Sequence, residues 1–314
     1  MKLVALALFS ATSLAAATFA DESTTVDIGG GVQMPRVNLG TCCGSDPRVG
    51  LPSWIEAGGV GVDSAWDYGN QANLSFMMKA SGKPRSSFFI TSKVPAGDHM
   101  PGSPGIPGAC AANPNASLAY VQDTLKQLGV EQLDLVLIHS SCANYAPPVP
   151  DAAASDNALW QGLVQAKAMG LTRAIGVSNF NIAQLQYLKG ATPAVNQIAI
   201  AIMPFWGNKY GHDDLTLEYC AAHDITPQSY GSLRGCPFND PRLTAIAKAH
   251  TVTESQVCMR WVLQRGAVIA AGTGSNATTA PGYARENIGV FAFELSSAEM
   301  ATLNAFSNGT AVAA

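Results

Sequence analysis

Four polar residues stand at the ends of apolar runs, where a buried strand would be expected to stop. Asp63 closes GVD in the stretch GVDSAWDYGNQ, and Tyr68 follows it in a Gly/Asn turn. Lys93 comes near the end of SSFFITSKV, and His139 directly follows LDLVLI. Each has an ordinary reading on its own: a helix-capping aspartate, a packed tyrosine, a solvated lysine, a rim histidine. Their coincidence at three consecutive strand ends points to chemistry instead. A free phenol titrates near about 10, too high for efficient acid catalysis at neutral pH. A neighbouring ammonium stabilises the phenolate and lowers that value. An aspartate keeps the ammonium charged and in place, and a histidine hydrogen-bonds a carbonyl oxygen. The set reads as a proton-donating site: Tyr68 the acid, Lys93 its tuner, Asp63 the anchor of Lys93, His139 the group that orients a carbonyl substrate.

The elements that must position these residues alternate along the chain. Strands are expected at 37–41, 60–64, 88–92, 133–138, 174–177, 195–198, 225–229 and 267–271. Helices are expected between them, at 70–80, 117–128, 158–169, 182–188, 215–223 and 254–264. Continuous apolar strands covered by helices imply a parallel sheet buried on both faces. Eight such units fit an α/β fold, a (β/α)8 TIM barrel, with an open doubly wound sheet as the alternative. Ahead of them, TTVDIGGGVQMP reads as a β-hairpin with a glycine turn that plugs the barrel bottom. In such a barrel the active site is built at the strand C-termini, where the four residues lie. The Pro/Gly-rich stretch 94–114 is a long loop, and a loop of that length is more often functional than idle.

The chain has 314 residues, 47% apolar and 13% charged, with a net charge of −4. That suits one large domain and gives no basic footprint for nucleic acid. The N-terminus MKLVALALFSATSLAAATFA reads as a signal peptide over residues 1–20, ahead of one domain over 21–314. It is too short and too broken by Ser and Thr for a membrane helix. Entry to the secretory pathway is the resulting expectation, ending outside the cell or in an organelle lumen. The seven cysteines show no zinc spacing and read mostly as small buried hydrophobes. An oxidising compartment would pair some, in combinations the spacing does not select.

The segments GVDSAWDYGNQ, FFITSKV, LDLVLIHSS, IGVSNF, VNQI and QSYGSL, in this order, resemble the aldo-keto reductase family. The resemblance implies a (β/α)8 barrel that reduces small aldehydes or ketones with NADPH, or with NADH. It carries the family's catalytic Asp, Tyr, Lys and His onto Asp63, Tyr68, Lys93 and His139. It assigns the nicotinamide carboxamide to Ser178, Asn179 and Gln197, and the ring stack to Tyr230. Thr41, Ser232 and Leu233 would follow the ribose and pyrophosphate, and Glu286 with Asn287 the adenine. A monomer is expected, with no membrane partner. The alternative function is a non-catalytic, nucleotide-binding regulatory protein on the same fold.

Two departures from the family pattern matter. NADPH-selective members carry a Lys after the last strand and an Arg three residues before the adenine Glu, both for the 2′-phosphate. Here those positions hold Thr273 and Tyr283, while Arg285 precedes Glu286 directly. The substrate wall also lacks a long C-terminal tail, so Trp66, Tyr145 and Trp206 are expected as aromatic lining of a shallow pocket. The run GTGSNA after AVIAA resembles a dinucleotide fingerprint with Glu294 downstream, but too little chain follows for a Rossmann sheet.

Overall fold

The apolar runs become strands because both of their faces are covered. LDLVLI is buried at every position, and so is FITSKV. The computed structural model describes residues 24–96, 109–110, 112–144, 149–205 and 214–306. An antiparallel hairpin of β1 (Thr25–Asp27) and β2 (Gln33–Pro35) comes first. Then follow β3 (Val37–Gly40), β4 (Gly61–Asp63), β5 (Phe89–Val94) and β6 (Leu133–Ile138). The series ends with β7 (Thr172–Ser178), β8 (Val195–Ala199), β9 (Thr226–Tyr230) and β10 (Val268–Ala271).

Strands β3 to β10 pair in sequence order and close into a barrel. Closure comes from the parallel pairing of β10 with β3, Ile269 opposite Val37 and Ala271 opposite Leu39. The expected TIM barrel is therefore the fold, and the open doubly wound sheet is not. The hairpin also takes its expected place. Its turn at Gly29, Gly30 and Gly31 has φ of 97°, 64° and 74°, a region that glycine enters without penalty. Ile28, Val32 and Met34 pack with Phe89, Val195 and Val268, which open their strands, so the hairpin caps the strands' N-terminal ends.

The helices of the outer layer are α1 (Pro47–Glu56), α2 (Gln71–Ala80), α3 (Pro114–Leu128), α4 (Ala152–Ala168) and α5 (Ile182–Tyr187). After them come α6 (Asp214–Ala222), α7 (Pro241–His250), α8 (Glu254–Gln264), α9 (Ala280–Ile288) and α10 (Ser297–Asn304). Helix α1 was not expected, because Gly50 and Pro52 both sit inside it and argue against helix. Burial of Leu51 and Trp54 against the barrel outweighs that local preference. Helix α4 starts earlier than its apolar periodicity suggests, because Asp151 caps it by accepting from the Ala154 N–H. No described helix is long and apolar enough to cross a membrane.

Six of the seven cysteines are paired, contrary to their reading as buried hydrophobes: Cys42–Cys43, Cys110–Cys142 and Cys236–Cys258. The last two join residues 32 and 22 positions apart, brought together by the packing of neighbouring strand–helix units. Cys220 alone is free; it is buried, and burial pushes its thiol up to about 11. Thiolate is the reactive form. A thiol titration is therefore expected to count none in the native protein near neutral pH and one after denaturation without reductant. Two or more reactive thiols in the denatured, unreduced chain would overturn the pairing.

Candidate active site

Asp63 ends β4, Lys93 lies near the end of β5, and His139 directly follows β6, so three adjacent strands deliver three of the residues to one end of the barrel. Tyr68 comes from the helical turn Trp66–Tyr68 after β4, which Gly69 ends with a positive φ of 65°. That turn sends the chain back so that the phenol faces the strand ends. The Asp63 backbone carbonyl accepts from both the amide and the hydroxyl of Thr41, which seats β4 against the end of β3.

The four side chains meet. The fully buried Lys93 ammonium donates to Asp63 Oδ1 at 2.5 Å, the Ser64 carbonyl at 3.0 Å and the Tyr68 hydroxyl at 3.3 Å. Its three N–H donors thus each have a partner. On the other side of Tyr68, the hydroxyl stands 3.5 Å from His139 Nε2. Burial, then the negative charges of Asp63 and Asp67, hold the Tyr68 phenol well above its ordinary range. This is the opposite of the direction expected from Lys93 alone. The reason is that burial in a dry site dominates, and the Asp63 and Asp67 carboxylates together outweigh the single Lys93 ammonium. Tyr68 is therefore held in its protonated form near neutral pH.

A cavity of about 330 Å³ opens above this group, lined by Asp63, Tyr68 and His139 at one end. Ser178, Asn179, Gln197, Tyr230, Ser232 and Leu233 also line it. A connected set of bonds holds them. Asn179 donates to the His139 carbonyl at 3.0 Å and accepts from the Tyr230 hydroxyl at 2.7 Å. Gln197 donates to Asp63 Oδ2 at 2.7 Å and to Gln228 Oε1 at 2.8 Å. The lining also includes Gly272 and Gly274, the run Cys42 to Ser45, and Arg234. A Cβ at 272 would stand 2.1 Å from Ser45 Oγ, so any side chain there would force that hydroxyl to move. The lining thus combines fixed amide and hydroxyl groups with a guanidinium and closely approaching backbone.

The remaining candidates lie elsewhere. Thr41 is buried behind the wall, in the contact with Asp63 described above. Thr273 is fully buried with its hydroxyl towards Gly50 of α1, so it does not line the cavity. On α9, Arg285 is exposed, Glu286 accepts from the Thr253 hydroxyl at 3.0 Å, and Asn287 donates to the Gly272 carbonyl at 3.5 Å. Trp66 turns to α3, where its indole N–H donates to Asp123 at 2.7 Å and its ring meets Tyr120 edge-on. Tyr145 and Trp206 lie outside the described residues.

Reading from sequence missed four contributors. Asp67 binds His139 Nδ1 through both carboxylate oxygens, at 2.9 and 3.0 Å. Its signal was present in WDYGN, one residue before the tyrosine, but an Asp next to a Gly/Asn turn reads as turn chemistry. Arg234 and the pair Cys42–Cys43 line the cavity from loops whose sequence gives no period to read.

Comparison with known proteins agrees with this architecture. The family model described as Aldo/keto reductase family matches residues 51–308. An aldo-keto reductase of Mycobacterium marinum is 34% identical over 283 residues, covering 88% of this chain and 89% of the relative. One from Mycolicibacterium smegmatis is 30% identical over 304 residues, covering 96% and 93%. A solved aldo/keto reductase structure from Brucella melitensis has a TM-score of 0.73 at 25% identity, covering 90% of this chain and 99% of that one.

These relatives also correct the expectation of secretory-pathway entry. They are bacterial aldo-keto reductases, and the 96% match leaves fewer residues unaligned than the expected signal peptide holds. Part of that segment therefore aligns with a bacterial enzyme's own chain. Residues 1–20 themselves lie outside the described residues. With the family match running from within α1 through α10, and 34% identity to a relative along most of its length, this chain belongs to the aldo/keto reductase family.

Proposed function

We propose that the protein reduces small aldehydes or ketones to alcohols with a reduced nicotinamide cofactor, using Tyr68 as the general acid. Family membership supports an oxidoreductase role. The observation that carries the finer reading is a phenol held between the Lys93 ammonium, 3.3 Å away, and the His139 imidazole, 3.5 Å away, in the wall of an open cavity. A protein that only bound nucleotide would have no use for a buried ammonium aimed at a tyrosine.

The lining fits a nicotinamide dinucleotide. Ser178, Asn179 and Gln197 offer amide and hydroxyl partners near Tyr68, Tyr230 offers an aromatic face, and Arg234 with the tight Gly272 loop suits a pyrophosphate. When bound, the reduced nicotinamide supplies the hydride. The protein's part is to hold the carbonyl against Tyr68, deliver the phenolic proton to the developing alkoxide, and stabilise the phenolate left behind through Lys93. Asp63 acts by keeping Lys93 in place, and Gln197 by fixing the second oxygen of Asp63.

Selectivity for the 2′-phosphate rests on Arg285, since Thr273 is buried and Tyr283 bears no charge. One exposed guanidinium contact supports a preference for NADPH over NADH of about tenfold in kcat/KM. The test follows nicotinamide absorbance with a reactive aromatic aldehyde and each cofactor in turn. Turnover with both within that ratio supports the reading. Tight nucleotide binding without turnover would transfer it to a regulatory binding protein.

A further inference from the structure

His139 has two ring nitrogens, and both already have an assigned direction. Nδ1 faces Asp67, with Oδ1 at 2.9 Å and Oδ2 at 3.0 Å, while Nε2 faces the Tyr68 hydroxyl at 3.5 Å. The contact is not a surface pair: the His139 and Asp67 side chains are 5% and 6% exposed. A carboxylate accepts and never donates. The proton at this contact therefore sits on Nδ1, and Nε2 lies within reach of the Tyr68 hydroxyl. Nothing in the expected assignment gave Asp67 a role, and His139 was expected to serve only the substrate carbonyl.

The Tyr68 oxygen decides what this arrangement can do. With His139 as imidazolium, Nε2–H and the Lys93 ammonium both donate to that oxygen, and the phenolic hydrogen is left to point into the cavity. With His139 neutral, Nε2 is a lone pair, and the phenol donates to it instead. Other groups facing this set are Asp63 and Lys93 from β4 and β5, which neutralise each other, and Tyr120 of α3. Burial and then the Asp67 charge raise the Tyr120 phenol, so it stays neutral.

We propose that Asp67 is a positioning residue for the reaction, fixing the proton of His139 on Nδ1 so that Nε2 returns a proton to the Tyr68 oxygen after each transfer. The balance is simple. Tyr68 gives its proton to the alkoxide. The phenolate takes the Nε2 proton of the imidazolium and leaves His139 neutral with Nδ1–H still on Asp67. His139 is then recharged from solvent through the open cavity. This inference rests on the reduction proposed above for its kinetic half, but its tautomer half does not.

The test uses the full chain and three variants. Asp67→Leu removes the acceptor, Asp67→Asn keeps an acceptor without the charge, and His139→Asn identifies the signal among only five histidines. Nitrogen–proton correlation spectra of the neutral imidazoles are expected to show His139 protonated at Nδ1 in the parent chain and in Asp67→Asn. In Asp67→Leu it is expected at Nε2. A parent His139 protonated at Nε2, or a tautomer unmoved by Asp67→Leu, would overturn the proposal.

In steady state, Asp67→Leu is expected to lower kcat by about 10²-fold, the lower end for a positioned proton-transfer group. Asp67→Asn is expected to lie between it and the parent, and nucleotide Kd should stay within about threefold. Full activity in Asp67→Leu with an altered tautomer would overturn the role in proton return. A parent chain that shows the expected tautomer yet reduces no carbonyl leaves Asp67 as the residue that orients His139 and removes the reductase reading instead.

Discussion

Replacing Tyr68 by Phe is expected to lower kcat for carbonyl reduction by at least about 10³-fold, within the range for loss of a positioned general acid. Nucleotide affinity should hardly change. Phe keeps the ring against Lys93, whose ammonium stands 5.0 Å from the ring centroid, and against the imidazole 5.4 Å away. Only the hydroxyl is lost, and with it the one proton donor that faces both the cavity and the ammonium. A matched fall in kcat and kcat/KM would mark an interaction made in the transition state. A rise in KM alone would instead make Tyr68 a binding residue and leave the acid unidentified.

The same substitution has a signature at alkaline pH that needs no substrate. Folding raises the Tyr68 phenol above its unfolded value of about 10, chiefly through burial. Above that pH the unfolded chain loses this proton while the folded chain keeps it. Stability therefore falls as pH rises, at up to about 1.4 kcal/mol per pH unit for one group. Tyr68→Phe is expected to lose that one-proton share of the slope. Tyr187, pushed up by burial and by Asp156, retains its own. Parallel stability curves for parent and variant above pH ~10 would mean that Tyr68 is no more shielded than a free phenol.

The barrel was legible because a strand buried on both faces leaves an unbroken apolar run, and β6 is such a run from Leu133 to Ile138. That Asp63, Tyr68, Lys93 and His139 meet was legible for the complementary reason. A polar residue that interrupts or closes such a run must be justified by something at the barrel mouth, and three strand ends raised the question together. What escaped had no period to read. Helix α1 carries two residues that disfavour helix and forms because its Leu51 and Trp54 are buried. Trp66 follows β4 as an aromatic wall would, yet Asp123 on α3, 57 residues away, provides its hydrogen-bond partner. Asp67 was hidden by its neighbours, since the turn chemistry of WDYGN fully accounts for an aspartate. The direction of the Tyr68 shift was missed for the same reason: it depends on how two carboxylates and a dry cavity sum in three dimensions.

Substituting Lys93 by Met is expected to damage stability and activity together, and a second substitution should separate them. Lys93 is wholly buried and Asp63 nearly so, with 2.5 Å between Nζ and Oδ1. Removing one partner strands the other as an uncompensated buried charge, which destabilises by about 3–5 kcal/mol. For a domain of this size that lowers Tm by roughly 10 °C. Changing Asp63 to Asn as well removes the stranded charge while keeping an oxygen to accept from Gln197 Nε2, a contact of 2.7 Å in the parent. The Lys93→Met/Asp63→Asn chain is therefore expected to regain at least half of the lost Tm. It should regain none of the lost kcat, because the ammonium that stabilises the Tyr68 phenolate is still missing. If the double variant recovered turnover along with Tm, the ammonium would be a structural ion only, and the acid would be tuned by something else. If it recovered neither, the pair would be stabilising in its own right, beyond neutralising one buried charge with another. A buried ion pair that contributes little net stability, yet whose cation is indispensable to turnover, is what a site selected for chemistry should contain.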